Sequence, residues 1–476
     1  MLRFYSRIAS NNKSAFVLFT VSRYFIYVLQ FGKGLLIAGI LGPAAFGLWG
    51  FLALVSQYLS YSKLGSEHAV TLFLSTEEHS GAPKIIARAL LISSFSLVFL
   101  FALGLTVHYI DIPVFQKYDL QSYVVLLAVV GLQNIRSVLT NAYRVYRSLY
   151  RITTVEFLDV LLPLGAIFLF PAEQLVDALL VTMVVSGFLG ILIYVLRSPF
   201  PIFTKVEPSS LIPFVWAGIP LLVNTVAIYL VTDVGKMVVA ALYPVQTMGY
   251  YSFASSITNG VLLGLGAVTW VIFPTVLSKV HLGINDDVAV RTIHKVTSLY
   301  RTALAVLILS AILVSPVLFL FFSSYRAIET TLAILLLSQL VYGIAFGFSS
   351  VSAARKRYFQ AAGLSILSAS VSAVLCLTAG LLQLDVIWIA FSVLTGLALQ
   401  TILQVRLGRS LFSIQSDVSR EWASIFSPGV ISATILIVVG SLAGYLVTGA
   451  IFGIVAFIVL DRRHLIDLFV YIRGAG

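Results

Sequence analysis

Four polar residues share one face of a largely apolar segment. Residues 15–41 form a hydrophobic run, and within it Arg23, Tyr27, Gln30 and Lys33 recur at intervals of four, three and three. At about 100° per residue they fall within roughly 120° of a helix surface. An arginine fork and a lysine ammonium on one face are ligands for phosphate and carboxylate oxygens. A second run, 123–143, carries Gln133, Arg136, Ser137 and Thr140, with Arg144 just beyond. A third, 211–231, contains Asn224 and leads to Asp233 and Lys236. Lys33, Arg23, Arg136 and Lys236, with Tyr27, Gln30 and Asn224, are therefore the candidate ligands of an anionic substrate. Ionisable groups in hydrocarbon cost roughly 2.5–3.5 kcal/mol each and must face protein or water. The expectation is a water-filled cavity between two halves of the chain. The alternative for Arg23 and Lys33 is snorkelling of long side chains toward the membrane surface.

Acidic groups are fewer. Glu156 and Asp159 share one face of the run 155–170, across a short hairpin from Arg136 and Arg144. They are read either as members of structural ion pairs or as sites for a coupling ion or proton. Asp233 is a further coupling-ion candidate, although it stands three residues from Lys236 and can pair with it along a helix. Catalytic residues are not evident. Cys376 is alone in an apolar run, and the six histidines never take ligand spacing. There is no phosphate loop, triad pattern or zinc motif. The sequence therefore predicts no enzyme activity, no metal and no cofactor.

The elements that position these groups must lie in a membrane. Of the 476 residues, 59% are hydrophobic and 10% are charged, against about 25% charged in a soluble domain. The apolar runs approach the roughly 20 residues a helix needs to cross a bilayer. They are 15–41, 44–61, 86–109, 123–143, 155–170, 176–196, 211–231, 249–277, 303–322, 330–350, 360–381 and 386–405. Phe426–Leu460 would be about 52 Å long as one helix, too long for a core of roughly 30 Å. It divides near Gly444–Gly449 into two short spans. The expected fold class is an all-α polytopic membrane protein of about fourteen transmembrane helices.

Charge sets the orientation. With the N-terminus in the cytoplasm, only Lys117, Lys236 and Arg326 fall in outside segments, and Arg23 and Lys33 lie within the first span. The other 25 of the 30 lysines and arginines are inside. Both termini are thus expected in the cytoplasm, in a multi-pass protein of the cytoplasmic (inner) membrane. Arg3, Arg7 and Lys13 precede a run too long for a cleaved signal. The net charge of +11 is read as topology signal and anionic-lipid contact rather than nucleic-acid binding. Both tails have an interfacial look. In Asp461–Arg473, leucines and aromatics at helical spacing flank Arg462, Arg463 and Arg473 in the manner of an in-plane amphipathic helix.

The chain also resembles itself. Gly32-Lys33, then Leu41-Gly42-Pro43, then Gly47-Leu48-Trp49 is echoed by Gly235-Lys236, Leu242-Tyr243-Pro244 and Gly249-Tyr250-Tyr251. An offset of six spans implies parallel repeats, an arrangement used by transporters. The expected organisation is a six-helix lobe at 1–205, a second at 206–410, and a two-helix hairpin with an amphipathic tail at 411–476. Pro163, Pro220, Pro274 and Pro316 lie within spans, and Gly218-Ile219-Pro220 is the expected hinge.

Leu41-Gly42-Pro43-Ala44-Ala45-Phe46-Gly47-Leu48-Trp49 resembles the first-loop signature of Wzx-type O-antigen and polysaccharide flippases. Tyr61–His68, with Leu64-Gly65, is similar to the end of their second span, and Asp233 through Tyr251 to their seventh and eighth. The resemblance implies membership of the multidrug/oligosaccharidyl-lipid/polysaccharide exporter superfamily. It implies a flippase that moves undecaprenyl-diphosphate-linked oligosaccharide from the cytoplasmic to the outer leaflet by alternating access. Membrane lipids and other polysaccharide-assembly proteins are the further partners it implies. Two alternatives stand beside it. A cation-coupled drug exporter would want acidic groups deep in the first span, where this chain has basic ones. A glycan polymerase or ligase would want a large outside loop, whereas the longest here, Ile110–Ser122, is short.

Overall fold

The computed structural model describes residues 12–76, 82–109, 120–146, 148–196, 198, 201–202, 204–280, 286–411 and 427–474. The N-terminal Arg3 and Arg7 lie outside these residues, as does most of the Ile110–Ser122 loop and of the loop 406–425. Among the described residues the chain is helical, with no strand. This is what a lipid solvent selects, because helices satisfy their own backbone polar groups.

By internal contacts the chain divides into two units, Met1–Leu222 and Val223–Gly476. The first contains α1 (Asn12–Leu59), α2 (Ser66–Thr76), α3 (Ala82–Tyr109), α4 (Leu120–Val145), α5 (Leu149–Leu169), α6 (Leu175–Val195) and the start of α7 (Leu211–Leu242). The second contains the rest of α7, then α8 (Val245–Val280), α9 (Asp286–Phe321), α10 (Glu329–Gly343), α11 (Phe346–Ala354), α12 (Tyr358–Leu381) and α13 (Val386–Ser410). It ends with α14 (Pro428–Leu442), α15 (Leu446–Leu460) and α16 (Arg462–Gly474).

Among the described residues the expected apolar segments lie on helices, with 15–41 and 44–61 sharing α1 and 330–350 running across the break between α10 and α11. Nine helices of the described residues are long and apolar enough to cross a membrane, ten if the pair Ser323–Gly343 and Phe346–Ser352, bent by 51°, is one span. That number takes α1 as a single span and does not include α8. α14 and α15 are shorter apolar helices of 15 residues each, about 22 Å in length. Large apolar side chains are bare on the outer faces, with Phe168, Leu169, Leu320 and Phe321 more than 70% exposed. Water would not tolerate such a surface on this scale, whereas hydrocarbon would.

Local breaks follow the sequence chemistry. α1 bends at Gly42, whose φ of 66° and ψ of 175° are non-helical. Pro43 disfavours the helical conformation at the residue before it, and glycine accepts a positive φ. Leu64 and Gly65 take left-handed conformations between a short 3₁₀ turn and α2. Gly65 lies against Gly218 of α7, where a Cβ would stand 2.8 Å from the Gly218 carbonyl oxygen. α7 itself runs unbroken through Pro220. α14 and α15 turn back on each other at Gly444, φ 76°, within the window expected from the sequence.

Each unit has polar fastenings. In the first, the buried Lys63 ammonium lies 2.6 Å from Glu67 and donates to Ser137 at 3.1 Å. Tyr143 and Tyr194 stack 4.8 Å apart, and the Tyr143 hydroxyl donates to the Tyr194 carbonyl. In the second, α15 and α16 pack on α9. Buried Asp461, at the α15–α16 corner, accepts from Ser427 and faces His464 Nδ1 at 3.2 Å.

Candidate functional site

α1, α4, α5 and α6 surround a cavity of about 340 Å³ within the first unit. α1 contributes Arg23, Tyr27, Gln30 and Lys33, so the four-three-three spacing does lay these side chains along one wall. α4 contributes Gln133 and Arg136, α5 Glu156 and Asp159, and α6 Met183 and Ser186.

The charges in this cavity are arranged rather than scattered. Arg23 Nη2 lies 2.8 Å from Glu156 Oε1. Arg136 Nη1 lies 2.5 Å from Asp159 Oδ1. The Arg23 guanidinium also sits 5.7 Å from the centre of the Tyr27 ring, within cation–π range. Lys33 is different. Its Nζ donates to the main-chain oxygen of Asp159 at 3.4 Å, and among the described residues no carboxylate forms an ion pair with it. Three cationic and two anionic side chains line the space, a formal surplus of one positive charge. The paired side chains keep 17–28% of their surface open, so the pairs are accessible from the cavity.

The neighbours on α5 correct one expectation. Asp159 does meet Arg136, as the hairpin suggested, but Glu156 is taken by Arg23 of α1, 133 residues away. The polar stripe on α4 also divides. Gln133 and Arg136 face the cavity, Ser137 accepts from Lys63, and Thr140 bonds the Tyr194 hydroxyl at 3.1 Å.

Asn224, Asp233 and Lys236 belong to the second unit and do not line this cavity. Lys236 Nζ lies 3.2 Å from Asp233 Oδ1 along α7, and Asp233 is only 4% exposed. Asn224 Oδ1 is buried, with no hydrogen-bond partner among the described residues.

One supporting element had escaped the sequence reading. At Gly190 of α6 a Cβ would come 3.0 Å from Arg136 Cδ and 2.9 Å from Val155. Gly187, one turn earlier, lets Leu132 of α4 approach. Two glycines three apart in an otherwise bulky helix are the signal of close helix packing. Here that packing sets where the Arg136 stem can run.

No family model matches the chain, and no curated protein matches it in sequence. Solved structures do share its fold. The lipid II flippase MurJ, in an inward closed conformation, aligns over 95% of this chain and 100% of its own with a TM-score of 0.69 at 14% identity. An inward-facing multidrug resistance MATE family transporter of the MOP superfamily aligns over 82% and 98%, TM-score 0.60, at 15% identity. A mutant of the Vibrio cholerae MATE transporter VcmN aligns over 85% and 98%, TM-score 0.61, at 15% identity. The chain therefore has the fold of MOP-superfamily transporters and of MurJ, a multi-pass membrane architecture.

Proposed function

We propose that this chain is a flippase for a lipid-linked anionic saccharide. It carries an undecaprenyl-diphosphate-linked oligosaccharide, the repeat unit of an O-antigen or another surface polysaccharide, from the cytoplasmic to the outer leaflet by alternating access. In this reading it resides in the cytoplasmic membrane with both termini inside, as two six-helix lobes and a C-terminal helix pair. Lys33, Arg23 and Arg136 engage the diphosphate, with Tyr27 and Gln30 beside them. Glu156 and Asp159 hold the two arginines until the anion arrives.

The observation that carries the reading is Lys33, an ammonium lining the cavity whose hydrogen bond goes to the main-chain oxygen of Asp159, while the Asp159 carboxylate is paired with Arg136. A buried cation without a carboxylate of its own is costly, and a diphosphate would supply the missing charge. The shared fold with a lipid II flippase supports a lipid-linked cargo. Deletion of the gene in its host tests the proposal. The expected result is loss of the surface glycan with a lipid-linked repeat unit retained on the cytoplasmic face. Normal surface glycan with nothing retained would overturn it.

A second reading is export of a small molecule, which the MATE-family likeness and a cavity in the small-ligand size range favour. The positive surplus in the cavity then directs the choice toward anionic rather than cationic compounds. Resistance to anionic amphipathic compounds on expression, with no glycan phenotype on deletion, would select an exporter over the flippase.

A further inference from the structure

A second concavity lies on the second unit, lined by none of the residues considered so far. α12 and α13 leave a groove of about 450 Å³ between the first turns of one and the last turn of the other. Its floor is apolar, with Phe359, Leu364 and Leu407, and its rim is polar, with Arg357, Gln360 and Ser410. Among the described residues no acidic side chain lines it.

Three features together point to an occupant with an anionic head and a hydrocarbon tail. The first is charge. Arg357 at the rim adjoins Lys356, and both are exposed. Arg406, also exposed, lies one turn before Ser410 and so on the same side of α13. Arg355 is bound to the carbonyl of Leu411, which ties the basic loop to the end of α13 beside the groove. The second is surroundings. Along α12 from the groove, Phe359, Ile366 and Leu367 are 60%, 46% and 51% exposed, so the floor continues into a surface made for acyl chains. The third is Gly363. Nothing lies within 4 Å of where its Cβ would stand, and its backbone conformation is ordinary. No protein atom needs that glycine, yet its bareness keeps the groove open.

We propose that this groove is a binding site for one anionic phospholipid of the leaflet in which the α12 and α13 ends lie. The lipid phosphate sits against Arg357, with Lys356 and Arg406 in range. Gln360 and Ser410 offer hydrogen bonds to its ester and glycerol oxygens. One acyl chain runs across Gly363 between Phe359 and Leu407. Polybasic segments attract anionic headgroups at about 1 kcal/mol per charge, and the notch adds a shape that a diffuse charge attraction lacks. The groove shares no lining residue with the cavity around Lys33.

Native mass spectrometry of the purified full-length chain in detergent tests this, with dioleoyl phosphatidylglycerol and dioleoyl phosphatidylcholine added in turn. The wild type is expected to retain one phosphatidylglycerol well above the phosphatidylcholine level. Arg357→Gln and Arg406→Gln should each weaken that retention roughly fivefold. Gly363→Leu, which fills the notch and keeps every charge, should abolish it without lowering the melting temperature of the lipid-free protein. Lys33→Ala should leave it intact, so that failure of the transport proposal does not affect this one. Equal retention of the two lipids, or wild-type retention by Gly363→Leu, would overturn the proposal.

Discussion

Lys33 and Lys236 occupy corresponding places in the two halves of the sequence, each after a glycine and each before a proline-marked corner. Their surroundings differ. Lys236 has its own carboxylate three residues earlier, 3.2 Å away and buried. The adjacent Gly235 is packed against Val393, Ile389 and the Tyr251 hydroxyl. That region is tight and its charges are neutralised along one helix. Lys33 has no acidic residue on its own helix, its hydrogen bond goes to the main-chain oxygen of Asp159 on α5, whose carboxylate Arg136 holds, and it opens onto a cavity. The same residue type is thus a structural partner in one unit and an available cation in the other. Position in a repeat does not assign a role. The local carboxylate does.

Substitution at the two lysines is the sharpest way to break this contrast. Lys33→Ala should lower transport of the lipid-linked saccharide by about 10- to 150-fold, the worth of a charge-assisted contact of roughly 1.5–3 kcal/mol. Lys33→Arg should retain part of the activity, and Lys236→Ala should cost far less. A complementation assay for surface glycan reads all three. If alanine and arginine at position 33 transport equally well, Lys33 merely snorkels and the contrast with Lys236 disappears.

The cavity's ion pairs give the next effect. Asp159→Asn or Glu156→Gln leaves Arg136 or Arg23 facing a neutral group. The side chains retain some water, so the loss of stability should be about 1–3 kcal/mol, below the cost for a fully buried pair. Thermal unfolding in detergent checks this, and an Arg136→Gln/Asp159→Asn double-mutant cycle should show a coupling of similar size. Additivity would mean that the short Arg136–Asp159 contact contributes nothing.

A subtler effect belongs to Gly190. Gly190→Ala must push aside the Arg136 stem or Val155. It should reduce transport severalfold while costing about 1–3 kcal/mol in stability, as overpacking does. An Arg136→Gln background should abolish the transport part of that loss, and if it does not, Gly190 acts on packing alone. The smallest effect is expected at α7, where Lys236→Arg keeps the i, i+3 pair with Asp233. Its melting temperature in detergent should stay close to that of the wild type, and a drop of many degrees would mean that the pair has no room for a guanidinium.

Much of this was legible in the residues themselves. The helical content and the segment positions follow from apolar runs that have no other stable form in lipid. The corner at Gly42 was written in the Gly-Pro step. The wall formed by Arg23, Tyr27, Gln30 and Lys33 was legible because helical periodicity needs only one helix to be right. What faces that wall was not. Glu156 meets Arg23 across 133 residues, and no local pattern states which face of α5 turns to α1. The α4 stripe was legible only in part, since Gln133 and Arg136 line the cavity whereas Ser137 and Thr140 bond Lys63 and Tyr194. Gly190 left only a faint mark, a gap between bulky residues whose purpose needs the arginine beside it.

The C-terminal hairpin has a mechanical implication. α14 and α15 are each about 22 Å long, several ångströms short of a typical hydrocarbon thickness. A bilayer that meets them must thin locally or let them sink toward one leaflet, at a fraction of a kcal/mol per ångström of mismatch. The protein would then wear a dimple of compressed lipid along one flank. Activity in reconstituted vesicles would respond to acyl-chain length there, with shorter chains relieving the strain.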